Sequence, residues 1–431
     1  LPIAFCRNLP YTAIKFSIYT HRAVRAAKKR RRELGGSGLL REYIETPDYA
    51  ALAEKPGRLF ARVRPDPVYL VLFLILLSVG TVMSFSASSA YAERQYGDSF
   101  HFFKEHLLHM AVGAVAMAAM LFITPTTMRY MSVAMYLAVL VLLLLVLAMG
   151  VIGGGAQRWI SVFGLFNFQP SEAAKTAIIL LLSLYMSRWE QEINSKGLNK
   201  KSFIHGFLVP GVILSAVLVL VGLEKHFSGV IIIGMIGVAM MFFGGTNLLW
   251  FLSVLPVGGV LGFIIMNTEY ARKRIDSWQN RGADALGSDW QSTQGLYAIG
   301  TGGLFGVGLG QSRLKYGYVS QPQNDFVFTI VCEELGFFGA AAIMLLFLAL
   351  TARGFVLASR ASDKFCSLVI FGLSFKLALQ VLLNIGVVSG VLPNTGISLP
   401  YFSTGGTATI MQMFEAGIVL GLSQFCTQKR D

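Results

Sequence analysis

Charged residues are scarce in this sequence. Asp, Glu, Lys and Arg make up 14% of the 431 residues, whereas a soluble globular chain carries about 25%. Cysteine is also sparse, with four residues that form no CxxC spacing and have no histidine partners at metal-ligand spacing, so neither a zinc site nor a disulfide is indicated. Hydrophobic residues make up 54% of the chain. This composition indicates an integral membrane protein.

Ten apolar segments approach the roughly 20 residues that a helix needs to cross a bilayer. Lipid offers the backbone no hydrogen-bond partners, so each segment must be helical. The sequence therefore predicts an all-α fold, a polytopic membrane protein with about ten transmembrane helices. The predicted spans are 67–86, 107–124, 129–151, 170–187, 205–223, 227–244, 247–267, 326–351, 365–390 and 404–425.

Lys and Arg are concentrated in particular connections. Residues 1–66 hold fourteen of them against six Asp and Glu, and the loops 188–204 and 352–364 are basic as well. With ten crossings these segments share one face, which the positive-inside rule assigns to the cytoplasm. The sequence thus predicts cytoplasmic termini: a basic, poorly ordered tail over 1–66, a membrane domain over 67–425 and a short end over 426–431.

The basic run within the tail has two explanations. A nucleic-acid-binding arm would look similar. In a membrane protein, attraction to anionic lipid is the better explanation, and no nucleic-acid partner is expected.

The longest connection, 268–325, is predicted to be a large extracytoplasmic loop between helices 7 and 8. It carries Arg274, Lys315 and a glycine-rich run over 300–310. That run has neither a preceding strand nor a following GK[ST], so it is a weak match to a phosphate-binding loop. A tightly packed or re-entrant segment is the alternative.

Ionisable side chains at the ends of apolar segments are candidate site residues because charge is costly in a membrane. Arg158 stands beside Trp159, and Gln169 precedes a helix start where Glu172 and Lys175 share one face. An interfacial anchor with a structural ion pair would explain the same pattern.

Other polar positions are equally ambiguous when taken singly. Asp325 stands where the long loop meets a helix, and it could be a helix cap. Glu333 and Glu334 lie two turns into that apolar helix, where carboxylates need a partner or a cavity. The cluster from Glu224 to His226 is either a turn or part of a cleft wall. Ser403 ends a rigid connection that could be only a hairpin between helices.

The order and spacing of these segments resemble the SEDS family of bacterial cell-wall proteins, which includes FtsW, RodA and SpoVE. The resemblance covers about residues 66–421 and looks closer to FtsW and SpoVE than to RodA. The matching motifs are Met83–Ser88, Gln157–Trp159, Gln169–Glu172 with Lys175, His226–Gly229, Gly302–Gly310, Asn324–Phe328, Glu333–Gly336 and Ser403–Gly406.

The resemblance implies a peptidoglycan glycosyltransferase that polymerises lipid II at the outer face of the bacterial cytoplasmic membrane, in cell division or a related cell-wall process. The family's essential aspartate maps onto Asp325, which would act as general base. A divalent cation, Mg²⁺ or Mn²⁺, could assist departure of the pyrophosphate. The expected partners are lipid II, membrane lipid and a class B penicillin-binding protein transpeptidase. The candidate substrate-binding residues are Arg158, Gln169, Glu172, Lys175, Arg274, Lys315, Glu334 and Ser403.

Three departures from the family pattern keep other functions open. Gln321 stands where the family usually has a glutamate, Ser398 replaces a usual proline, and Thr404 a usual tyrosine. One alternative is a lipid II flippase or another transporter, which would share the membrane fold and the polar cleft. The other is a non-catalytic scaffold for cell-wall synthases.

Overall fold

The computed structural model describes residues 65–153, 156–162, 166–195, 199–252, 267, 269–280, 289–319 and 322–426. Nearly all of the predicted N-terminal tail, and the chain end after Cys426, lie outside this part. Gln321 lies outside it as well.

Helices dominate the described chain, which confirms the predicted fold class. Nine of the ten predicted spans coincide with a described helix, and the tenth, 247–267, starts with α8 and then leaves the described residues. The number of crossings therefore stays a prediction. The helices are α1 Pro67–Tyr96, α2 His101–Leu121, α3 Pro125–Met149, α4 Pro170–Arg188, α5 Glu190–Ile193, α6 Lys200–Leu223, α7 Phe227–Phe243, α8 Leu248–Leu252, α9 Glu269–Gln279, α10 Trp290–Gly302, α11 Val327–Arg360, α12 Lys364–Val388 and α13 Gly406–Ser423.

Within the described residues, five helices are long and apolar enough to cross a membrane: α1, α3, α6, α11 and α12. The shorter α7 is apolar too. Helix α4 is different because it is buried along most of its length and packs against α3, α7 and α12. Its polar side chains are therefore held among other helices, away from the lipid-facing surface.

Proline and short polar side chains set several helix starts. Asp66 caps α1, since its Oδ1 accepts a hydrogen bond from the backbone N–H of Tyr69 at 2.8 Å. Pro67 and Pro170 stand at the first positions of α1 and α4, where an N–H has no partner within the helix.

A small antiparallel sheet is an addition to the predicted all-α fold. It has three strands in the order β1-β2-β3: Val151–Gly153, Ala156–Val162 and Phe166–Phe168. The central strand pairs Trp159 with Val151 and Ile160 with Phe168. The sheet fills the connection between α3 and α4, and it fixes Arg158 and Trp159 on a strand rather than on a flexible loop.

The long connection 268–325 contains helices α9 and α10, and its glycine-rich run packs against a break in α11. Gly336 leaves the helical conformation there with φ of 68°. The backbone groups freed by the break pair with the run: Val307 N donates to Glu333 O at 3.0 Å, and Phe337 N donates to Gly303 O at 2.9 Å. A Cβ on Gly336 would lie 2.2 Å from the nitrogen of Gly306. Backbone hydrogen bonds thus hold the run against α11, while most of its side chains are exposed.

Candidate active site

One cavity of about 220 Å³ lies where four helices begin. Residues at or just before the starts of α4, α7, α11 and α13 line it, together with strand β2 and the connection between α12 and α13. Helix N-termini carry unpaired N–H groups and partial positive charge. The cavity therefore has a backbone that favours anionic ligands before any side chain is considered.

Six of the nine site residues predicted from the sequence line this cavity. The remaining three, Arg274, Lys315 and Glu334, do not. The six are Arg158, Gln169, Glu172, Lys175, Asp325 and Ser403. Their individual roles stay predictions, but the chain does bring together residues separated by up to 245 positions.

Asp325 lies in the short segment before α11, and the connection between α12 and α13 holds that segment in place. Ser403 Oγ donates to the backbone carbonyl of Asn324 at 2.5 Å. The backbone N–H of Thr404 donates to the carbonyl of Gln323 at 3.0 Å. The segment has no regular secondary structure, so these bonds give its carbonyls partners that a helix or a sheet would otherwise supply.

Burial raises the pKa of Asp325 above its ordinary value, and the positive charge of Arg274 partly opposes the rise. Arg274 belongs to α9, and its Nη1 donates to the carbonyl of Asn394 at 2.5 Å. Trp278 of the same helix donates through Nε1 to Gly390 at 2.9 Å. Helix α9 therefore packs against the far side of the same connection and acts on Asp325 by charge. A carboxylate with a raised pKa is a stronger base once ionised.

Arg158 projects from β2 into the cavity, and its Nη2 donates to the carbonyl of Lys225 at 2.6 Å. The backbone of Lys225 is left-handed, with φ of 56°. The neighbouring Glu224 is buried, which raises its pKa to about 8 although the charge of Arg158 lowers it. With its pKa at about 8, Glu224 is mostly protonated at pH 7 and cancels little of the charge of Arg158.

His226 completes this wall as a neutral side chain. Burial lowers its pKa to about 4, and the charges of Arg158 and Lys175 add to that effect. Its Nδ1 lies 3.1 Å from Ser171 Oγ, so the two share a hydrogen bond. At physiological pH the ring can donate or accept a hydrogen bond but supplies no positive charge.

Two buried ion pairs interact by charge at this end of the bundle: Glu172 and Lys175 line the cavity, whereas Lys376 and Glu415 do not. Lys175 Nζ lies 2.7 Å from Glu172 Oε1 within α4. Lys376 in α12 pairs with Glu415 in α13, and Thr176 donates to the same carboxylate. Neither Lys376 nor Glu415 was predicted from the sequence. Their signal was an ionisable residue inside an apolar span, which is rare and costly unless it is paired.

Lys315 and Glu334 form a separate cluster that lies outside the cavity lining. Lys315 Nζ is 3.1 Å from Glu334 Oε1, and both side chains are almost fully buried. Ser86 Oγ donates to the Glu334 carboxylate at 2.7 Å, and Ser312 Oγ donates to Glu333. The cluster joins the two ends of the chain stretch that carries Asp325. A substrate-binding role for Lys315 and Glu334 stays a prediction.

The described residues contain no group of three His, Cys, Asp or Glu side chains arranged to hold a metal ion. The free carboxylate in the cavity is that of Asp325, because Glu172 is already paired with Lys175. Mg²⁺ often binds through one or two carboxylates together with substrate phosphates and water. A divalent cation at this site would fit only in that manner, with Asp325 as its protein ligand.

Comparison with known proteins shows the family of this chain. The family model that groups FtsW, RodA and SpoVE, described as "Cell cycle protein", matches residues 67–428. The chain belongs to the FtsW/RodA/SpoVE family. Stage V sporulation protein E of Bacillus subtilis is 37% identical over 369 residues, which cover 84% of this chain and 98% of that protein. A Geobacter metallireducens protein named probable peptidoglycan glycosyltransferase FtsW is 35% identical over 364 residues, covering 84% and 95%.

Solved structures of the family share the fold. A chain of a peptidoglycan synthase complex, solved to describe how polymerization and crosslinking are coordinated, superposes with a TM-score of 0.67 at 24% identity, covering 83% of this chain and 97% of that one. RodA of Thermus thermophilus superposes with a TM-score of 0.61 at 23% identity, covering 85% and 98%. The resemblance to this family and the multi-pass membrane fold are both confirmed.

Proposed function

We propose that this chain is a peptidoglycan glycosyltransferase that polymerises lipid II, with Asp325 as its general base. The observation that carries the proposal is one cavity whose lining brings the Asp325 carboxylate together with Arg158, Lys175 and residues at four helix starts. Curated relatives of high coverage are named as glycosyltransferases of this class. Sugar transfer from a pyrophosphate is accelerated by a base that takes the acceptor proton and by cations that stabilise the leaving group.

The base acts on the acceptor. A sugar hydroxyl attacks the anomeric carbon of the donor, the new glycosidic bond forms, and the bond from that carbon to the pyrophosphate oxygen breaks. Asp325 takes the hydroxyl proton as the attack proceeds. Base assistance of this kind is typically worth about 10² to 10⁴ in rate.

The cationic wall acts on the leaving group. The pyrophosphate gains negative charge as its bond to the sugar breaks, and fixed positive groups stabilise that charge. Arg158 is suited to this role because the mostly protonated Glu224 leaves its charge available. Lys175 is paired with Glu172, so it offers a hydrogen-bond donor at a site of little net charge.

The Lys and Arg distribution supports an orientation in the cytoplasmic membrane of a bacterium. The basic segments 188–204 and 352–364 lie at the C-terminal ends of α4 and α11, whereas the cavity lies at the starts of those helices. By the positive-inside rule the cavity faces the outside. Lipid II on that surface would enter with its undecaprenyl tail in the bilayer.

A class B penicillin-binding protein is the proposed partner. One structural neighbour of this chain is part of a peptidoglycan synthase complex that coordinates polymerization and crosslinking. A polymerase and a transpeptidase held together would add each new strand to the wall as it forms.

The proposal is tested in vesicles that contain the purified chain, its partner and fluorescent lipid II. Glycan polymer and movement of lipid II between leaflets are scored separately. The proposal predicts polymer that depends on this chain when the partner's transpeptidase is blocked with a β-lactam. Movement of lipid II without polymer would support a flippase, and partner binding with neither activity would support a scaffold; either result contradicts the proposal.

A further inference from the structure

A side-chain amide inside the helix bundle joins two walls of the cavity. Asn384 of α12 has no exposed surface. Its Nδ2 donates to the backbone carbonyl of Asp325 at 2.8 Å and to that of Ile397 at 2.7 Å. Carbonyl oxygens only accept hydrogen bonds, so the NH₂ group must face them and both of its hydrogens are used.

We propose that Asn384 is a positioning residue for the transfer reaction: it fixes the Asp325 carboxylate relative to the connection that closes the cavity beside it. Asn384 does not line the cavity, so it acts through Asp325. The inference rests on the proposed role of Asp325 as general base.

The two segments that Asn384 joins depend on side chains for their geometry. Residues 322–326 and 391–405 contain no strand or helix. Ser403 and Thr404 also bond to the Asp325 segment, but they belong to the irregular segment 391–405. Asn384 is different because it projects from a long, well-packed helix and holds the carbonyl of residue 325 itself. It ties both segments to a rigid element.

The space beside the Asp325 carboxylate depends on the distance between the Asp325 segment and the connection that contains Ile397. A Cβ placed on Gly396, the neighbour of Ile397, would lie 3.3 Å from Asp325 Oδ2. The acceptor hydroxyl must approach the same carboxylate. A misplacement of about 1 Å at a reacting group can cost about 100-fold in rate. Loss of the Asn384 bonds is therefore expected to lower kcat and to leave KM, which reflects contacts along the whole substrate, little changed.

A buried asparagine can also serve stability alone. That role predicts a lower Tm with normal turnover in each molecule that remains folded. The matched control for it is Tyr136→Phe, because the Tyr136 hydroxyl donates to the carbonyl of Ile213 at 2.8 Å between α3 and α6. Tyr136 lies outside the cavity lining, so this variant removes a comparable tertiary hydrogen bond and is expected to retain normal kinetics.

The test compares Asn384→Leu with Tyr136→Phe in the full chain with its partner. Polymerisation of lipid II gives kcat and KM per folded molecule, and thermal unfolding gives Tm. We expect Asn384→Leu to lower kcat by about 10- to 100-fold, and Tyr136→Phe to lower only Tm. Asn384→Ala also removes both donors and adds no bulk or charge, and it is measured if Asn384→Leu does not fold. A wild-type kcat in the folded Asn384 variant would overturn the inference.

Parallel measurements of Asp325→Asn separate this inference from the proposed function. Full polymerisation by Asp325→Asn would refute the role of Asp325 as base. An inactive Asp325→Asn combined with a normal Asn384→Leu would overturn only the positioning role. Because groups that act as a unit are not additive, Asn384→Leu should cause no further loss in the Asp325→Asn background, and a further loss by the same factor would indicate general structural damage instead.

Discussion

Replacing Lys315 with methionine should destabilise the protein strongly. The change leaves the Glu334 carboxylate buried, with its ion pair gone and the hydrogen bonds from Ser86 and Ser312 remaining. Removing one partner of a buried ion pair typically costs about 3–5 kcal/mol, because the remaining charge is uncompensated. Lys315 Nζ also donates to the carbonyl of Gly310 at 2.8 Å, which places the expected cost within that range rather than below it.

The double variant Lys315→Met with Glu334→Gln sharpens this prediction. Glutamine keeps an acceptor for Ser86 and Ser312 without a buried charge, so the double variant should recover a large part of the lost free energy of unfolding. The assay is reversible denaturation in detergent, with all three variants measured in one double-mutant cycle. A loss below about 1 kcal/mol for Lys315→Met, the value expected of an exposed pair, would refute the reasoning. So would a raised KM at unchanged stability, which would favour the substrate-binding role predicted from the sequence.

Three further variants probe the surroundings of the proposed base. Arg274→Gln removes a positive charge that lowers the pKa of Asp325, so that pKa should rise. Because the base must be ionised, activity is lost as pH falls through this pKa, and the acidic limb of the kcat profile should move to higher pH. An acidic limb at the wild-type pH would contradict this. Gly396→Ala should lower kcat, because the alanine Cβ would crowd the Asp325 carboxylate and because the backbone of residue 396 is left-handed, with φ of 67°. Normal turnover in this variant would argue against a tight cavity beside Asp325. Glu224→Gln should polymerise normally at pH 7, because Glu224 is already mostly protonated with a pKa of about 8; a marked loss would mean that its charge matters to Arg158.

The spans were predictable from the sequence because lipid leaves a long apolar segment no alternative to a helix. The described helices begin within a few residues of the predicted spans wherever a proline or a polar cap marks the start, as at Pro67 and Pro170. The sheet was not predictable in the same way. Its outer strands have three residues each, too few for an alternating pattern, and their pairing depends on contacts between strands.

The candidate site was partly predictable for a related reason. Most of its residues stand in polar segments that precede helices. Counting alternate crossings of the membrane places those segments on one face. The polar residues that were missed in and around the site lie inside apolar spans: Gln380 lines the cavity, whereas Lys376, Asn384 and Glu415 lie outside its lining. A polar residue in such a span signals a partner or a cavity, but its sequence alone does not say which. Lys376 has a charged partner in another helix, whereas Asn384 has two backbone carbonyls.

The most direct test of the account is polymerisation of lipid II by Asp325→Asn, with binding of lipid II measured on the same preparation. Asp98→Asn is the matched control, because Asp98 is an aspartate on the α1–α2 connection, outside the cavity lining, that pairs with Lys104 at 2.8 Å. We expect Asp325→Asn to bind lipid II and to polymerise it at least 100-fold more slowly than the wild-type chain, and Asp98→Asn to polymerise it normally. Polymerisation by Asp325→Asn at the wild-type rate would contradict the account.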